Sequence, residues 1–301
     1  MALALALLLV ALPAVGQEYP VEPNLYFQYV WARSTASAAA VQAAAGTPMP
    51  EMGETQAVSA AYMTIANAGA VGVRLVAAES PVAEVVEIHE TQMNGDVMMM
   101  RPVENGIDVL SGEVTVLEPR GLHIMLMGLT EPLEAGQAVP LTLTFVLLDD
   151  AGEPTDQSFT MMLAAPVLDE APEPSNFAFS LIWARPAEAE GVSATYLHML
   201  NAGGEGDALV AASTDVAGVV EIHEMTMVND VMSMRPLEGG VPVASGEVAV
   251  LEPGGIHLMM LELQQPLEAG TAFTMTLVFE SGTQIVIGVP VYDRLMQMQG
   301  M

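Results

Sequence analysis

The 301-residue sequence contains no cysteine. Its absence excludes disulfide bonds, thiolate metal sites, a cysteine nucleophile and lipid attachment through cysteine within these residues. A blue-copper electron-transfer centre is excluded for the same reason, because it needs a cysteine thiolate. Any metal chemistry must therefore use histidine, methionine or carboxylate side chains.

Lysine is also absent, and the only seven cationic residues, all arginines, are outnumbered by 37 acidic residues, for a formal net charge of −30. A field of this sign repels phosphate backbones, which argues against nucleic acid as a partner. Aromatic residues make up only 5% of the chain, whereas 52% is hydrophobic, enough for ordinary buried cores. The abundance of Val, Leu, Gly and Pro favours β-structure over long helices.

Long apolar runs are scarce, and the one that stands out is "MALALALLLVALPAVG" at residues 1–16. Small residues, Ala14 and Gly16, precede Gln17, as at the cleavage point of an export signal. The run is shorter than the roughly 20 residues that span a bilayer as a helix. We interpret residues 1–16 as a signal peptide, although the run lacks a basic n-region and an uncleaved N-terminal anchor also fits. We expect a periplasmic or extracellular protein with no membrane span in its mature chain.

The sequence repeats itself at an offset of 134 residues. "EIHETQMNGDVMMMRP" at 87–102 recurs as "EIHEMTMVNDVMSMRP" at 221–236, with 11 of 16 residues identical. Between the copies, "LDEAPEPSN" is acidic and Pro-rich, as a semi-rigid linker should be. We predict a first domain at 17–167 with a long Ala-rich loop at 34–58, a linker at 168–176, and a second domain at 177–301 that ends in a methionine-containing tail.

Each copy is built from short segments that alternate or run apolar. Gly, Pro, Asn and Asp interrupt them at spacings of roughly 8–12 residues, and no helical pattern intervenes. This organisation predicts an all-β protein made of two tandem Greek-key β-sandwich domains.

The histidines carry the strongest functional signal. Four of the five occupy repeated positions, each accompanied by methionines at identical steps. His123 and Met125 lie two residues apart in a strand-like run, so both side chains project from one face of a sheet. A strand end or loop carrying His89 and Met100 could complete the set. The predicted metal ligands are His89, Met100, His123 and Met125 in the first domain and His223, Met234, His257 and Met259 in the second.

Imidazole and thioether form a soft, neutral ligand set, which among biological metals favours Cu(I). We therefore expect up to two Cu(I) ions, one in each domain. Met98 lies two residues from Met100 and could share its face, so the choice between the two stays open, as it does for Met232 and Met234. Further methionines that could assist are Met296, Met298 and Met301. The fifth histidine, His198, has Thr64 as its counterpart and is interpreted as structural.

Three other repeated pairs are interpreted as structural. Arg101 and Arg235 are expected to form salt bridges with repeated carboxylates such as Glu87 and Glu221. Conserved aromatic pairs are expected in the sandwich cores: Tyr62 and Tyr196, Trp31 and Trp183.

The pattern "HE…MxMRP…SGEVxVLEPxGxHxM", present in both halves, resembles the periplasmic copper chaperone family PCuAC. The resemblance covers roughly residues 28–150 and 179–290. It implies a cupredoxin-like β-sandwich with an exposed Cu(I) site in each domain, formed by the eight residues named above. It also implies copper delivery for cytochrome c oxidase assembly, although the usual plan of that family has a single domain.

On this interpretation the partner is a copper-accepting protein, cytochrome c oxidase or one of its assembly factors. Copper would move by ligand exchange with no substrate bond made or broken, so we do not expect an enzyme. One alternative is a secreted protein that sequesters or buffers copper without a dedicated acceptor. Another is a metal-independent β-sandwich binding module in which the His and Met sets are core residues.

Overall fold

The computed structural model describes residues 24–36, 57–94, 97–228 and 231–292, apart from the side chains of 93, 94, 97, 98, 228 and 231. Twenty strands are present in this part of the chain. Those of the first domain are β1 (Leu25–Arg33), β2 (Val58–Asn67), β3 (Val73–Glu79), β4 (Ala83–Asn94), β5 (Val97–Pro102), β6 (Ile107–Val109), β7 (Val114–Leu117), β8 (Leu122–Leu129), β9 (Ala138–Leu148) and β10 (Pro154–Leu168). Those of the second domain are β11 (Phe177–Ala184), β12 (Ser193–Asn201), β13 (Asp207–Ser213), β14 (Ala217–Val228), β15 (Val231–Pro236), β16 (Val241–Val243), β17 (Val248–Leu251), β18 (Ile256–Leu263), β19 (Ala272–Phe279) and β20 (Gln284–Pro290).

Each domain is a sandwich of two layers with the same topology in both copies. The first layer of the first domain has the order β5-β4-β8-β2-β1, with β7 beside the end of β2, and the second layer has the order β6-β3-β9-β10. The second domain repeats both orders with β11 to β20. The predicted all-β fold of two tandem β-sandwich domains is confirmed.

Alternation along the strands places the cores between the layers. In β9, Val139, Leu141, Leu143 and Phe145 are buried while the residues between them are partly exposed. This period of two is what a sheet with one packed face requires. Strand β8 differs, because its residues 123–126 are buried on both faces. The inner face of β8 therefore packs in the core, and its outer face is covered by a second set of side chains.

A β-bulge in β1 creates that outer cover. Pairing of β1 with β2 shifts register between Gln28 and Trp31, and Tyr29 has a φ of 51°. One extra residue inverts the faces of everything beyond it. Phe27, before the bulge, therefore lies in the main core, whereas Trp31 lies on the outer face of the first layer. The same shift between Ser180 and Trp183 repeats this in the second domain.

The two domains are joined through both layers. Strand β1 pairs with β11 in the first layer, and β10 pairs with β20 in the second. The first layer thus runs from β5 to β15 and the second from β6 to β16 without a break.

Strand β10 ends at Leu168 and β11 begins at Phe177, so the segment predicted as a linker lies between two strands. The domain boundaries themselves stay a prediction. Residues 1–16 and most of the loop predicted at 34–58 lie outside the described residues. Within the described part of the chain, no helix has the length and hydropathy needed to cross a membrane.

Candidate metal centre

The first-domain histidines meet on the outer face of the first layer. His89 in β4 is the direct cross-strand partner of His123 in β8, and their ring centres are 6.0 Å apart. A metal–imidazole nitrogen bond is about 2 Å long, so two imidazoles on a single ion have ring centres roughly 5–6 Å apart. Both histidines are buried, at 9% and 3% exposure. Their separation and burial are compatible with a shared ion.

Hydrogen bonding fixes the tautomer of His123. Its Nδ1 lies 3.0 Å from the carbonyl oxygen of Gly121. A carbonyl can only accept, so Nδ1 carries the proton and Nε2 carries the lone pair. Metal-bound histidines characteristically donate their other N–H to a backbone carbonyl or a carboxylate. His123 is thus prepared to bind a metal through Nε2.

His89 is held in the opposite tautomer. Its Nε2 lies 2.8 Å from Oε2 of Glu87, which precedes it by two residues on the same face of β4. The ionised carboxylate accepts, so the proton is on Nε2 and the lone pair is on Nδ1. That Nδ1 is buried and has no hydrogen-bond partner. A buried acceptor left unpaired costs about 1–3 kcal/mol, which a bound cation would offset.

The histidines of the second domain have the same pairing and the same hydrogen-bond partners. His223 and His257 are cross-strand partners with ring centres 6.0 Å apart. His223 Nε2 lies 2.7 Å from Glu221 Oε2, and His257 Nδ1 lies 3.1 Å from the carbonyl oxygen of Gly255. His223 Nδ1 is again buried without a partner. Each domain therefore offers one Nδ1 and one Nε2 lone pair.

Burial keeps one histidine of each pair neutral. Desolvation lowers the pKa of His123, partly opposed by its bond to Gly121, and His89 lowers it further. The pKa of His257 is lowered for the same reasons, with Gly255 and His223 in the corresponding roles. A neutral imidazole is the form that binds metal, so these shifts favour coordination at neutral pH.

The methionines predicted as ligands lie on the same face at different depths. Met125 follows His123 by two residues and is 8% exposed. Met259 holds the same place in the second domain and is partly exposed. Met100 pairs with Thr91 and Met234 with Met225, one step beyond His89 and His223 on that face. They are 54% and 45% exposed. Each candidate centre therefore has two histidines of low exposure at its base and a solvent-exposed thioether at its outer edge.

Register also locates the alternative methionines. Met98 pairs with Met93 and Met232 pairs with Met227, each two residues further from the histidine than Met100 or Met234. Met232 is exposed, and the side chain of Met98 is outside the described set. The tail residues Met296, Met298 and Met301 also lie outside it. Among the described residues, no three His, Asp or Glu side chains gather as a metal site.

The aromatic residues expected in the sandwich cores lie beside the candidate centres. Trp31 and Tyr62 pack with their ring centres 4.7 Å apart in a separate outer cluster that includes Met125. Tyr62 in turn lies 6.3 Å from the ring of His123. Trp183, Tyr196 and His257 repeat this at 4.6 and 6.2 Å. The four aromatic residues are buried as expected, but they form clusters apart from the main cores because the bulges in β1 and β11 turn both tryptophans to the outer face.

Both arginines form salt bridges with repeated carboxylates as expected, but their partners are Glu90 and Glu224, not Glu87 and Glu221. Arg101 and Arg235 pair in register with Glu90 and Glu224, at 3.9 and 2.8 Å. These carboxylates lie on the opposite face from Glu87 and Glu221, which hydrogen-bond to the histidines. Sequence reasoning missed this role of Glu87 and Glu221, although the Glu-x-His spacing on a strand places both side chains on one face.

Comparison with protein families gives a match to "Putative lipoprotein LpqE-like" at residues 26–153 and again at 177–291. Among curated proteins, "Putative lipoprotein Lxx21020" of Leifsonia xyli is 32% identical over 107 residues, which cover 36% of this chain and 64% of that protein. "Uncharacterized protein RP573" of Rickettsia prowazekii is 32% identical over 101 residues, covering 33% and 55%. The chain thus spans less than two thirds of the length of these relatives.

Among solved structures, the "Apo PCuAC domain from PmoF1" is 26% identical and matches 40% of this chain and 97% of that one, with a TM-score of 0.33. The "Copper-bound PCuAC domain from PmoF2" is 22% identical and matches 39% and 92%, also with a TM-score of 0.33.

Proposed function

Since this chain belongs to the LpqE-like lipoprotein family, we propose that it is an exported Cu(I) carrier with one binding site in each domain. The ligands are His89, Met100, His123 and Met125 in the first domain and His223, Met234, His257 and Met259 in the second. The protein acts as a chaperone and not as an enzyme, and it works in the periplasm or outside the cell.

The proposal is supported mainly by two imidazole nitrogens in each domain whose lone pairs are available to bind a metal. His89 Nδ1 is buried and unpaired, while Glu87 holds the proton on the other nitrogen. His123 has its Nδ1 proton held by a backbone carbonyl. Both outer partners are of the kinds that orient metal-bound histidines. A purely structural histidine in a core would satisfy both of its ring nitrogens.

The thioethers select the metal. Two neutral imidazoles with two thioethers favour Cu(I) over Zn²⁺ or Cu(II), which form stronger sites with thiolate or carboxylate ligands. Register favours Met100 over Met98 as the fourth ligand, because two more residues along a strand add about 6.6 Å to the distance from His89. The same comparison favours Met234 over Met232.

Release of copper is possible because Met100 and Met234 are exposed to solvent. An incoming thiolate can displace Met100 or Met234 from the solvent side, while the less exposed histidines and Met125 or Met259 keep the ion in place until the exchange is complete. Thioethers need no deprotonation, and methionine escapes the thiol oxidation that disables cysteine outside the cytoplasm. We propose a copper-accepting protein of cytochrome c oxidase assembly, or the oxidase itself, as the partner.

Anaerobic titration with Cu(I) against a competing chelator tests the binding step. The protein should take up two tight equivalents, and the variant with His89, His123, His223 and His257 all changed to Ala should take up none. The matched control is His198→Ala, which removes the fifth histidine and should retain both equivalents. Equal binding by the quadruple variant and the control would refute the proposal.

Transfer tests the delivery step. Copper-loaded protein is mixed with an apo acceptor fragment that presents a pair of cysteines, and the metal content of each is measured after separation. Transfer within minutes supports delivery. Retention of copper by the donor would instead identify a sequestering protein.

A further inference from the structure

The two domains contact each other through equivalent residues. In the first layer, Phe27 of β1 pairs antiparallel with Phe179 of β11. On their other sides these two residues pair with Ile65 and Met199, which are 134 positions apart and so correspond to each other. A residue that faces its own counterpart across a contact lies on a local two-fold axis.

The second layer crosses the boundary in the same way. Ala164 of β10 pairs antiparallel with Gly288 of β20. Their partners across the hairpins, Pro140 and Thr274, are again 134 positions apart. One pseudo-two-fold axis therefore passes through both layers.

We propose that the two domains form an isologous, internally closed dimer: each carries a self-complementary edge whose partner is the other copy, and this contact fixes both candidate centres on one face even without a covalent connection between the domains. This contact between the domains does not depend on whether the candidate centres bind copper.

The contact at the axis depends on a glycine. A Cβ at Gly288 would overlap the carbonyl oxygen of Ala164 and lie 2.8 Å from its Cβ. Strands β10 and β20 can therefore approach this closely only because one of the two equivalent positions has no side chain.

Further bonds and packing close the boundary. Gln28 Nε2 donates to the carbonyl oxygen of Phe177 at 3.2 Å in a buried position, and Tyr29 Oη donates to that of Ser175 at 2.7 Å. Apolar packing is shared as well, since Tyr26 and Ala178 belong to one buried cluster. Two edge strands that would otherwise expose unpaired backbone groups thus cover each other.

The axis determines where the candidate centres point. Phe27 and Phe179 both face their own cores, so the outer faces of the two first layers lie on the same side. Five strand spacings separate β8 from β18, which amounts to roughly 24 Å. Two ions held there cannot share ligands, but one partner lying on this face could meet both.

Cleavage of the linker in the full-length protein tests the contact. A protease recognition sequence is inserted between Ala171 and Pro172, the protein is cut under native conditions, and the halves are followed by size-exclusion chromatography and native mass spectrometry. The cut halves should remain together at micromolar concentration. Their separation would overturn the proposal.

The cleavable chain with Gly288→Ala tests the register. Its overlap with Ala164 should weaken association of the cut halves at least about tenfold. The matched control is Gly204→Ala, where no atom lies within 4 Å of the added Cβ and association should be unchanged. Equal association of the two variants would contradict the proposed axis.

A second variant decides the case if Gly288→Ala disrupts the fold, which circular dichroism would reveal. Gln28→Ala combined with Tyr29→Phe removes three hydrogen bonds across the boundary, because Tyr29 Oη also accepts from the backbone N–H of Ser175 at 3.2 Å, and it leaves β10 and β20 intact. Association of the cut halves should weaken by about tenfold. No weakening in this variant would overturn the proposal.

Spin labels test the fixed arrangement in the uncut chain. The absence of cysteine allows specific labelling of Glu104→Cys and Glu238→Cys, which occupy equivalent exposed positions. Electron–electron distance measurement should give one narrow distribution, which Gly288→Ala broadens. A broad distribution in the chain without the Gly288 change would show independent domains and refute the proposal.

Discussion

In the first domain the ring centres of His89 and His123 are 6.0 Å apart, and the corresponding rings of the second domain are separated by the same 6.0 Å. The surroundings are less alike. Tyr292 packs on the Trp183 cluster, where the first domain has Leu168 on the Trp31 cluster. The side chains that set the nitrogen lone pairs are thus kept while the support beneath them varies. This pattern is expected if the lone pairs are the functional feature.

Repetition by itself does not identify the site. Asn67 donates to two backbone carbonyls and accepts from Gly69, and Asn201 makes the corresponding bonds with Gly203. These bonds close turns and leave no polar atom unpaired. The histidines differ in that His89 and His223 each keep a buried nitrogen without a partner.

The largest expected effect comes from breaking one centre at a time. His123→Ala should abolish the first tight Cu(I) equivalent and leave the second, and His257→Ala should do the reverse. Loss of a ligand should weaken that site by more than the roughly hundredfold seen when only an outer-shell partner is lost. Cu(I) titration of each single variant measures this, and loss of both equivalents in either one would show that the two domains share a single site.

Removal of the carboxylate that hydrogen-bonds to a candidate histidine ligand should have the next largest effect. Glu87→Gln and Glu221→Gln each replace the acceptor that holds the proton on His89 or His223 Nε2. Affinity at the altered site should fall about 10- to 100-fold, as for other outer-shell partners of metal-bound histidines. Competition with a chelator measures the change.

The matched control for this pair is Glu90→Gln, which alters a neighbouring carboxylate of β4 on the opposite face. It should leave Cu(I) affinity unchanged. If Glu87→Gln has no more effect than Glu90→Gln, the carboxylate does not orient a ligand.

Much of this centre could be predicted from the sequence. Residues two apart on a strand share one face, and this places Met125 beside His123. The fixed steps between the repeats selected the histidines as candidate ligands. The pairing of His89 with His123 could not be read from spacing, because it depends on β4 and β8 being neighbours in a Greek-key order. Those strands are separated by β5, β6 and β7 along the chain.

The bulges were the other obstacle. A strict alternation from Phe27 would place Trp31 in the core, and only the extra residue near Tyr29 turns it outward. Tyr29 adopts a positive φ without being glycine, so no local sequence signal marks the position. The indole that the bulge turns outward packs against Tyr62.

Acid should destabilise the metal-free protein through His123 and His257. Burial lowers the pKa of both below the unfolded value of about 6.5. Between the two values the unfolded state binds more protons, so the free energy of unfolding falls as pH falls, by up to about 1.4 kcal/mol per pH unit for each histidine. Thermal unfolding of the metal-free protein between pH 7.5 and 5 measures the slope.

Partial neutralisation of the carboxylates acts in the opposite direction over this range, because it relieves repulsion in a chain of net charge −30. The measurement that isolates the histidines is therefore a comparison of the pH dependence of the free energy of unfolding. It compares the parent protein with each of His123→Gln and His257→Gln. Each variant should lose part of the acid destabilisation. Identical pH profiles for parent and variants would show that these histidines do not contribute.

The smallest expected effect concerns Arg101 and Arg235, whose ion pairs differ between the two domains. Arg235 lies 2.8 Å from Glu224, whereas Arg101 is 3.9 Å from Glu90. The reason is local: Gln92 donates to Glu90 at 2.6 Å, and the second domain has Thr226 in its place. Both arginines are mostly exposed, so Arg235→Ala should lower the free energy of unfolding by only about 0.5 kcal/mol and Arg101→Ala by less.

Gln92→Thr sharpens this last comparison, because it removes the competing donor and leaves Glu90 to Arg101. Denaturant unfolding of Arg101→Ala in the Gln92→Thr background should then show a loss close to that of Arg235→Ala, about 0.5 kcal/mol, and high salt should reduce both losses. If Arg101→Ala still lowers the free energy of unfolding less than Arg235→Ala in that background, the difference between the two ion pairs does not arise from Gln92. It must then come from the strands that carry the arginines.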